Sequence, residues 1–179
     1  MTEKREIELF VTLDKSDAYK TGMLVFREAY KWQYRLALAA SLLFCLFFLA
    51  VHFGAPQERR WELYSFDVAI VPPIVIFLFP YMVIGAAARA TFRANPRASQ
   101  TTRLVFSSEG ILSESSFGRS ETKWGMYARV RETKEYFLLY PSLKVAHGLP
   151  KRCFTSADAL ATFRDILRTS IAGRIDLES

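Results

Sequence analysis

Two long runs without a charged residue constrain this chain more than anything else in it. Residues 36–55 read LALAASLLFCLFFLAVHFGA and residues 68–88 read VAIVPPIVIFLFPYMVIGAAA. Each has the roughly 20 residues that a helix needs to cross about 30 Å of hydrocarbon. Both are apolar all round, and a chain of 179 residues lacks the mass to bury two such helices in a soluble core. The expectation is a two-helix transmembrane hairpin.

Basic flanks give the hairpin a direction. Lys20, Arg27, Lys31 and Arg35 precede the first run, and Arg89, Arg93, Arg97 and Arg103 follow the second. The loop 56–67 carries only Arg59 and Arg60, beside Glu58 and Glu62. An excess of Lys and Arg marks the cytosolic side, so both termini are expected in the cytosol with the loop outside. Tyr30, Trp32 and Tyr34 fit an inner aromatic belt, Trp61 and Tyr64 an outer one. His52 and Asp67 fall near the outer face. Pro72, Pro73 and Pro80 lie in the second run and predict a kinked helix packed on the first.

The expected organisation is a cytosolic strand and helix over 1–35, spans over 36–55 and 68–88, the external loop 56–67, a linker over 89–101 and a cytosolic domain over 102–179. In the first segment Ile7, Leu9, Val11 and Leu13 alternate with polar residues, the period of a half-buried strand. Asp14 or Ser16 can cap a helix that runs towards the first span, with Gly22 its one weak point. A lone strand has unpaired edges, so this one is expected to join the C-terminal domain.

That domain reads as a series of short strands: Arg103–Ser107, Ile111–Ser115, Glu121–Trp124, Ala128–Glu132, Tyr136–Tyr140 and Lys144–Leu149. Turn signals at Ser108-Glu109-Gly110, Phe117-Gly118-Arg119 and Pro141-Ser142 separate them. Ser156 can cap a last helix with Leu160, Phe163, Ile166, Leu167, Ser170 and Ile171 on one stripe and Arg164 and Arg168 opposite, and Gly173 is placed to end it. Several small α+β folds share this pattern. The one expected here is an antiparallel β-roll of pleckstrin-homology type closed by a C-terminal amphipathic helix, making the chain an α+β membrane protein.

The motifs of this segment are Lys123-Trp124 with Tyr127, Val130-Arg131-Glu132-Thr133, the aromatic strand Tyr136–Tyr140, and Leu149-Pro150-Lys151-Arg152-Cys153-Phe154. In these the chain resembles the YcxB-like family of small bacterial membrane proteins, over roughly residues 102–172 by motif and elsewhere by layout. The resemblance implies a pleckstrin-like module in which Trp124, Glu132 and Pro150 are structural positions, and it implies no activity.

Chemistry is hard to find. The chain contains no Walker A loop, GxSxG elbow, HExxH pair or dinucleotide glycine fingerprint. His147 is the one histidine of the cytosolic segments, and a single His among apolar residues reads as structural. Cys45 and Cys153 lie in different environments, so neither a disulfide nor a reactive thiol is expected. No enzymatic activity, cofactor or metal is expected.

A basic set remains: Lys144, Lys151 and Arg152, with Arg129, Arg131 and Lys134. Near an anionic leaflet each such cation can add about 1 kcal/mol of attraction. Against this, residues 101–179 hold twelve Lys and Arg and nine Asp and Glu, a small excess that suits neither nucleic acid nor a strongly basic face. The reading is a non-enzymatic, membrane-anchored interaction module that meets a protein partner or anionic lipid. The alternative is a small oligomeric transporter or channel subunit assembled around the proline-rich span.

Overall fold

A computed structural model describes residues 6–54, 66–94 and 99–177, without the side chains of residues 52 and 66–70. Residues 56–65 of the expected loop, with Arg59, Arg60, Trp61 and Tyr64, the side chains of His52 and Asp67, and Asn95-Pro96 of the linker lie outside the described residues; Phe66 and Asp67, expected in the loop, are already helical.

Strand β1 (Ile7–Val11) buries Ile7, Leu9 and Val11 and exposes Glu8 and Phe10, as its period of two requires. Asp14 then caps helix α1 (Lys15–Ala29): the Asp17 amide donates to the Asp14 carboxylate at 2.7 Å, and the Asp14 amide donates to the Asp17 carboxylate at 3.0 Å. Tyr30 leaves helical geometry at φ −118° and ψ 16°, and α2 (Lys31–Gly54) begins at the next residue. The long helix expected here is therefore interrupted by one residue. Helix α3 (Phe66–Ala94) passes through Pro72, Pro73 and Pro80 without a break in its assignment and continues to Ala94, into the stretch expected as linker.

Helices α2 and α3 are long and apolar enough to cross a membrane. Only 6% of the Lys31–Val51 window and 11% of the Val71–Ala94 window is buried within the chain. Leu43, Phe47, Phe79 and Met82 all face outward, so the hairpin does not serve as an internal core.

The remaining elements are β2 (Thr102–Phe106), β3 (Gly110–Ser115), β4 (Gly118–Lys123), β5 (Arg129–Glu132), β6 (Tyr136–Ser142), β7 (Val145–Pro150), α4 (Ala157–Ser170) and β8 (Arg174–Asp176). One sheet has the order β1-β2-β3-β4, all antiparallel, with Leu9 opposite Leu104. The N-terminal strand thus joins the C-terminal domain, and α1, α2 and α3 form an insertion between two neighbouring strands. The second sheet has the order β7-β6-β5-β8, in which β8 lies parallel to β5.

Two stop signals read from the sequence of this domain do not act where expected. Pro141-Ser142 does not form the turn after β6; the strand runs through both residues with a register shift between Leu139 and Ser142. Gly173 does not end α4, which is already terminated at Ile171. A side chain at Gly173 would strike the Ala128 carbonyl, so glycine here admits β8 to the edge of β5.

The main core lies between the sheets and α4. It contains Leu9, Phe106, Trp124, Val130, Phe137, Leu139, Leu149, Phe163 and Leu167. Phe163 meets Phe106 and Phe137 edge-on, with centroids 4.8 and 4.9 Å apart. Ser156 caps α4 as expected, accepting from the Ala159 amide at 3.1 Å. A second cluster on the other face of β6 joins Tyr136, Leu138 and Tyr140 to Leu24 and Val25 of α1. Burial on both faces explains why β6 is an unbroken apolar and aromatic run.

Candidate functional site: the seam between helix α1 and the second sheet

Helix α1 lies between the second sheet and α3. It approaches both closely because Gly148 of β7 faces Thr21 and Gly22 faces Ile84. A β-carbon at Gly22 would stand 2.8 Å from Ile84 Cγ2. The sheet side of this contact carries a row of charge pairs, each joining α1 to a residue more than a hundred positions away.

At the start of α1, Asp17 is 3% exposed and holds the Arg152 guanidinium with both oxygens, Nη1 to Oδ1 at 2.6 Å and Nη2 to Oδ2 at 2.5 Å. The Tyr136 hydroxyl donates to Oδ1 at 2.8 Å. Burial disfavours the Asp17 carboxylate, but the bonds from Arg152, the Asp14 amide and Tyr136 outweigh it and hold the carboxyl down at about 2. Burial and the Asp17 bond push the Tyr136 phenol up to about 12.

At the far end, Glu28 receives Arg129, Arg131 at 3.1 Å and the Tyr140 hydroxyl at 2.7 Å. Arg129 also donates to Asp176 of β8 at 2.6 Å. Despite burial, the Tyr140 and arginine bonds hold the Glu28 carboxyl below its usual range. Between these ends Lys20 meets Glu135 at 2.8 Å on an exposed flank.

A separate buried group sits under α4. Glu132, 4% exposed, is bound by Lys151 at 2.6 Å and Arg164 at 2.6 Å. Its carboxyl is also held low by these partners in spite of its burial. Arg164, expected on the outer face of α4, instead reaches back to the sheet. Trp124 lies in a 3-10 turn after β4, and its indole N–H donates to the Ser107 carbonyl at 2.8 Å; Pro150 is fully buried. The three residues that the resemblance marked as structural are therefore all core positions.

The basic set is distributed, not gathered. Arg129 and Arg131 converge on Glu28, while Lys151 and Arg152 serve different carboxylates. Lys144 lies over the Tyr30 ring at 5.4 Å, and Lys134 is exposed in the turn before β6. Lys144 and Lys134 stand at opposite ends of β6, whose seven residues span roughly 23 Å at about 3.3 Å per residue. Asp17 and Glu28 are the site residues that the sequence reading passed over. Nothing in the neighbours of Asp17 points to a partner 135 positions away.

His147 packs edge-on to Tyr127 with centroids 5.9 Å apart, consistent with a structural role. Burial pushes the Cys153 thiol up, despite Arg152 beside it. Among the described residues no group of three or more His, Cys, Asp and Glu could hold a metal ion. The seam ties α1 to the second sheet through Asp17 with Arg152 and Glu28 with Arg129.

A family model described as YcxB-like protein matches residues 106–167, from the end of β2 into α4. No curated protein and no solved structure matches the chain. The matched segment contains Trp124, Glu132 and Pro150 but not β1, most of β2 or β8, which complete its sheets, nor the helical insertion. The chain thus carries a YcxB-like domain.

Proposed function

We propose that this chain is a non-enzymatic interaction module anchored in the bacterial inner membrane, with α2 and α3 as a two-span hairpin and both termini in the cytosol. The supporting observation is the outward-facing apolar surface of the two helices, which the chain itself leaves uncovered. Bilayer hydrocarbon is the solvent such a surface requires. The domain is read as a pleckstrin-like roll, two sheets enclosing a core capped by α4.

A protein partner is favoured over a lipid-binding basic face. Four of the six cations of that face already hold carboxylates of the same chain. Neutralised cations add little to leaflet attraction. The clamped seam would present the domain to a partner in a fixed orientation beside the hairpin.

Alkaline extraction of native membranes, followed by labelling of single cysteines at residues 2 and 178 in right-side-out and inverted vesicles, tests the anchor. Retention in the pellet, with labelling only in inverted vesicles, is expected. Release into the supernatant refutes the spans, and labelling from outside refutes the orientation. Co-purification from mild detergent tests the role: a stable hetero-partner supports the module, and a symmetric homo-oligomer with an aqueous cavity supports the transporter reading instead.

A further inference from the structure

The pairs along the seam have an order. Asp17 meets Tyr136, Thr21 faces Gly148, Glu28 meets Tyr140, and Tyr30 lies under Lys144. Strand β6 therefore runs alongside α1 in the same direction, and β7 returns. The turn between them, at Leu143 and Lys144, lies beside the residue at which α1 gives way to α2.

Exposed aromatic and basic residues mark that level. Trp32 is outward-facing with the Arg35 guanidinium 5.5 Å from its ring, and the apolar surface of α2 begins at Leu36. Leu143, at the turn, is 83% exposed, and its neighbour Val145 also faces outward. A cleft of about 610 Å³ opens beneath the turn, walled by Val25, Phe26, Ile84 and Phe92. Lys144 and Val145 of the turn line this cleft with them, so Val145 adjoins apolar side chains of α1 and α3 while Leu143 projects beyond it.

We propose that the β6–β7 turn, Leu143–Val145, is a third membrane contact that dips into the interfacial layer of the inner leaflet. Leu143 and Val145 enter the region of the upper acyl chains, and Lys144 lies at the phosphates. The Lys144 ammonium rests on the Tyr30 ring face, which leaves N–H donors for lipid oxygens. Aromatic rings and snorkelling lysines favour this layer. The contact would fix the roll of the domain about the α1 axis, which two spans alone leave to the seam. This proposal rests on the reading of α2 and α3 as spans.

The test uses the full chain with Cys45→Ala and Cys153→Ala, reconstituted in phosphatidylcholine vesicles containing phosphatidylglycerol. A nitroxide is placed at Leu143→Cys, with Leu43→Cys in α2 and Lys134→Cys at the opposite end of β6 as references. Collision with oxygen and with a water-soluble nickel chelate reports depth. Residue 143 is expected between the references, with oxygen favoured over nickel. If residue 143 matches residue 134 while residue 43 is lipid-like, the proposal fails and the spans stand. If residue 43 is itself open to nickel, the spanning reading fails and the proposal with it. Hydroxyl-radical footprinting of the unmodified chain in the same vesicles gives an independent measure. With each rate divided by that of the same residue in the unfolded chain, Leu143 is expected to be protected several-fold more than exposed Phe10, and equal protection overturns the proposal.

Discussion

Arg152 grips Asp17 with two parallel bonds of 2.6 and 2.5 Å, although 135 positions separate the two residues. One lies just after β7 and the other in the first turn of α1, so the pair ties the helical insertion to the sheet it interrupts. The forked geometry of guanidinium and carboxylate makes this among the stronger forms of ion pair.

Asp17→Asn removes the charge and keeps the shape. With the carboxyl held from 3.8 down to about 2, the charged form contributes about 2 kcal/mol, and a loss of that order is expected in denaturant unfolding followed by far-UV circular dichroism in detergent. Arg152→Met leaves Asp17 buried without its cation and is expected to cost a similar amount. The double variant should cost clearly less than the sum, because both substitutions break one interaction.

Acid should weaken both this seam and the ion-paired group under α4. Asp17, Glu28 and Glu132 all have folded pKa values below their ordinary ones, so their stabilisation is present above their ordinary carboxyl range and is lost as pH falls through the folded values, about 2 for Asp17. An unfolding midpoint that is flat from pH 7 to 5 and falls steeply below 4 is expected, with a shallower fall in Asp17→Asn. Equal slopes in both proteins would show that Asp17 carries no such linkage.

Under α4, Glu132→Ala strands Lys151 and Arg164 beside an apolar core. Removing one partner of a buried pair costs about 3 kcal/mol or more, and a midpoint shift of that size is expected. Glu8→Gln, which breaks an exposed pair with Arg103, should leave the midpoint near that of the parent.

Packing at Gly22 has a designed rescue. Gly22→Val drives a side chain into Ile84 and should separate α1 from α3, lowering the melting temperature. Combining it with Ile84→Ala frees the volume and should restore part of the loss. No rescue would mean that the contact between the helices is looser than described here.

The thiols give a simpler test. Neither is disulfide-bonded, and burial pushes the Cys153 thiol up, so native Cys153 should react with iodoacetamide at pH 8 far more slowly than the same residue in the denatured chain.

What could be read from residues alone were features written within a few positions of one another. Strand β1 alternates with period two, Asp14 and Ser156 precede helices, and β6 is aromatic and apolar from Tyr136 to Tyr140. The two uncharged runs became α2 and α3, and the need of β1 for a sheet brought it to β2. Strand β8 was missed because three residues carry too little pattern to distinguish from a loop, and because its partner β5 is distant in sequence.

The basic set shows the other half of the matter. Six cations close in sequence read as one face, yet the tertiary structure sends them to Glu28, Asp17, Glu132 and Tyr30 and leaves Lys134 at the opposite end of β6 from Lys144. Three of those partners come from α1 or its final cap, whose position is decided only when β1 and β2 pair across the inserted hairpin. Sequence by itself determined the apolar hairpin and the alternating strands, because hydrophobic period is a local property of the chain. Which charge meets which depended on distant chain segments being brought together, more than a hundred residues apart for the pairs made by α1, and only the folded packing decides that.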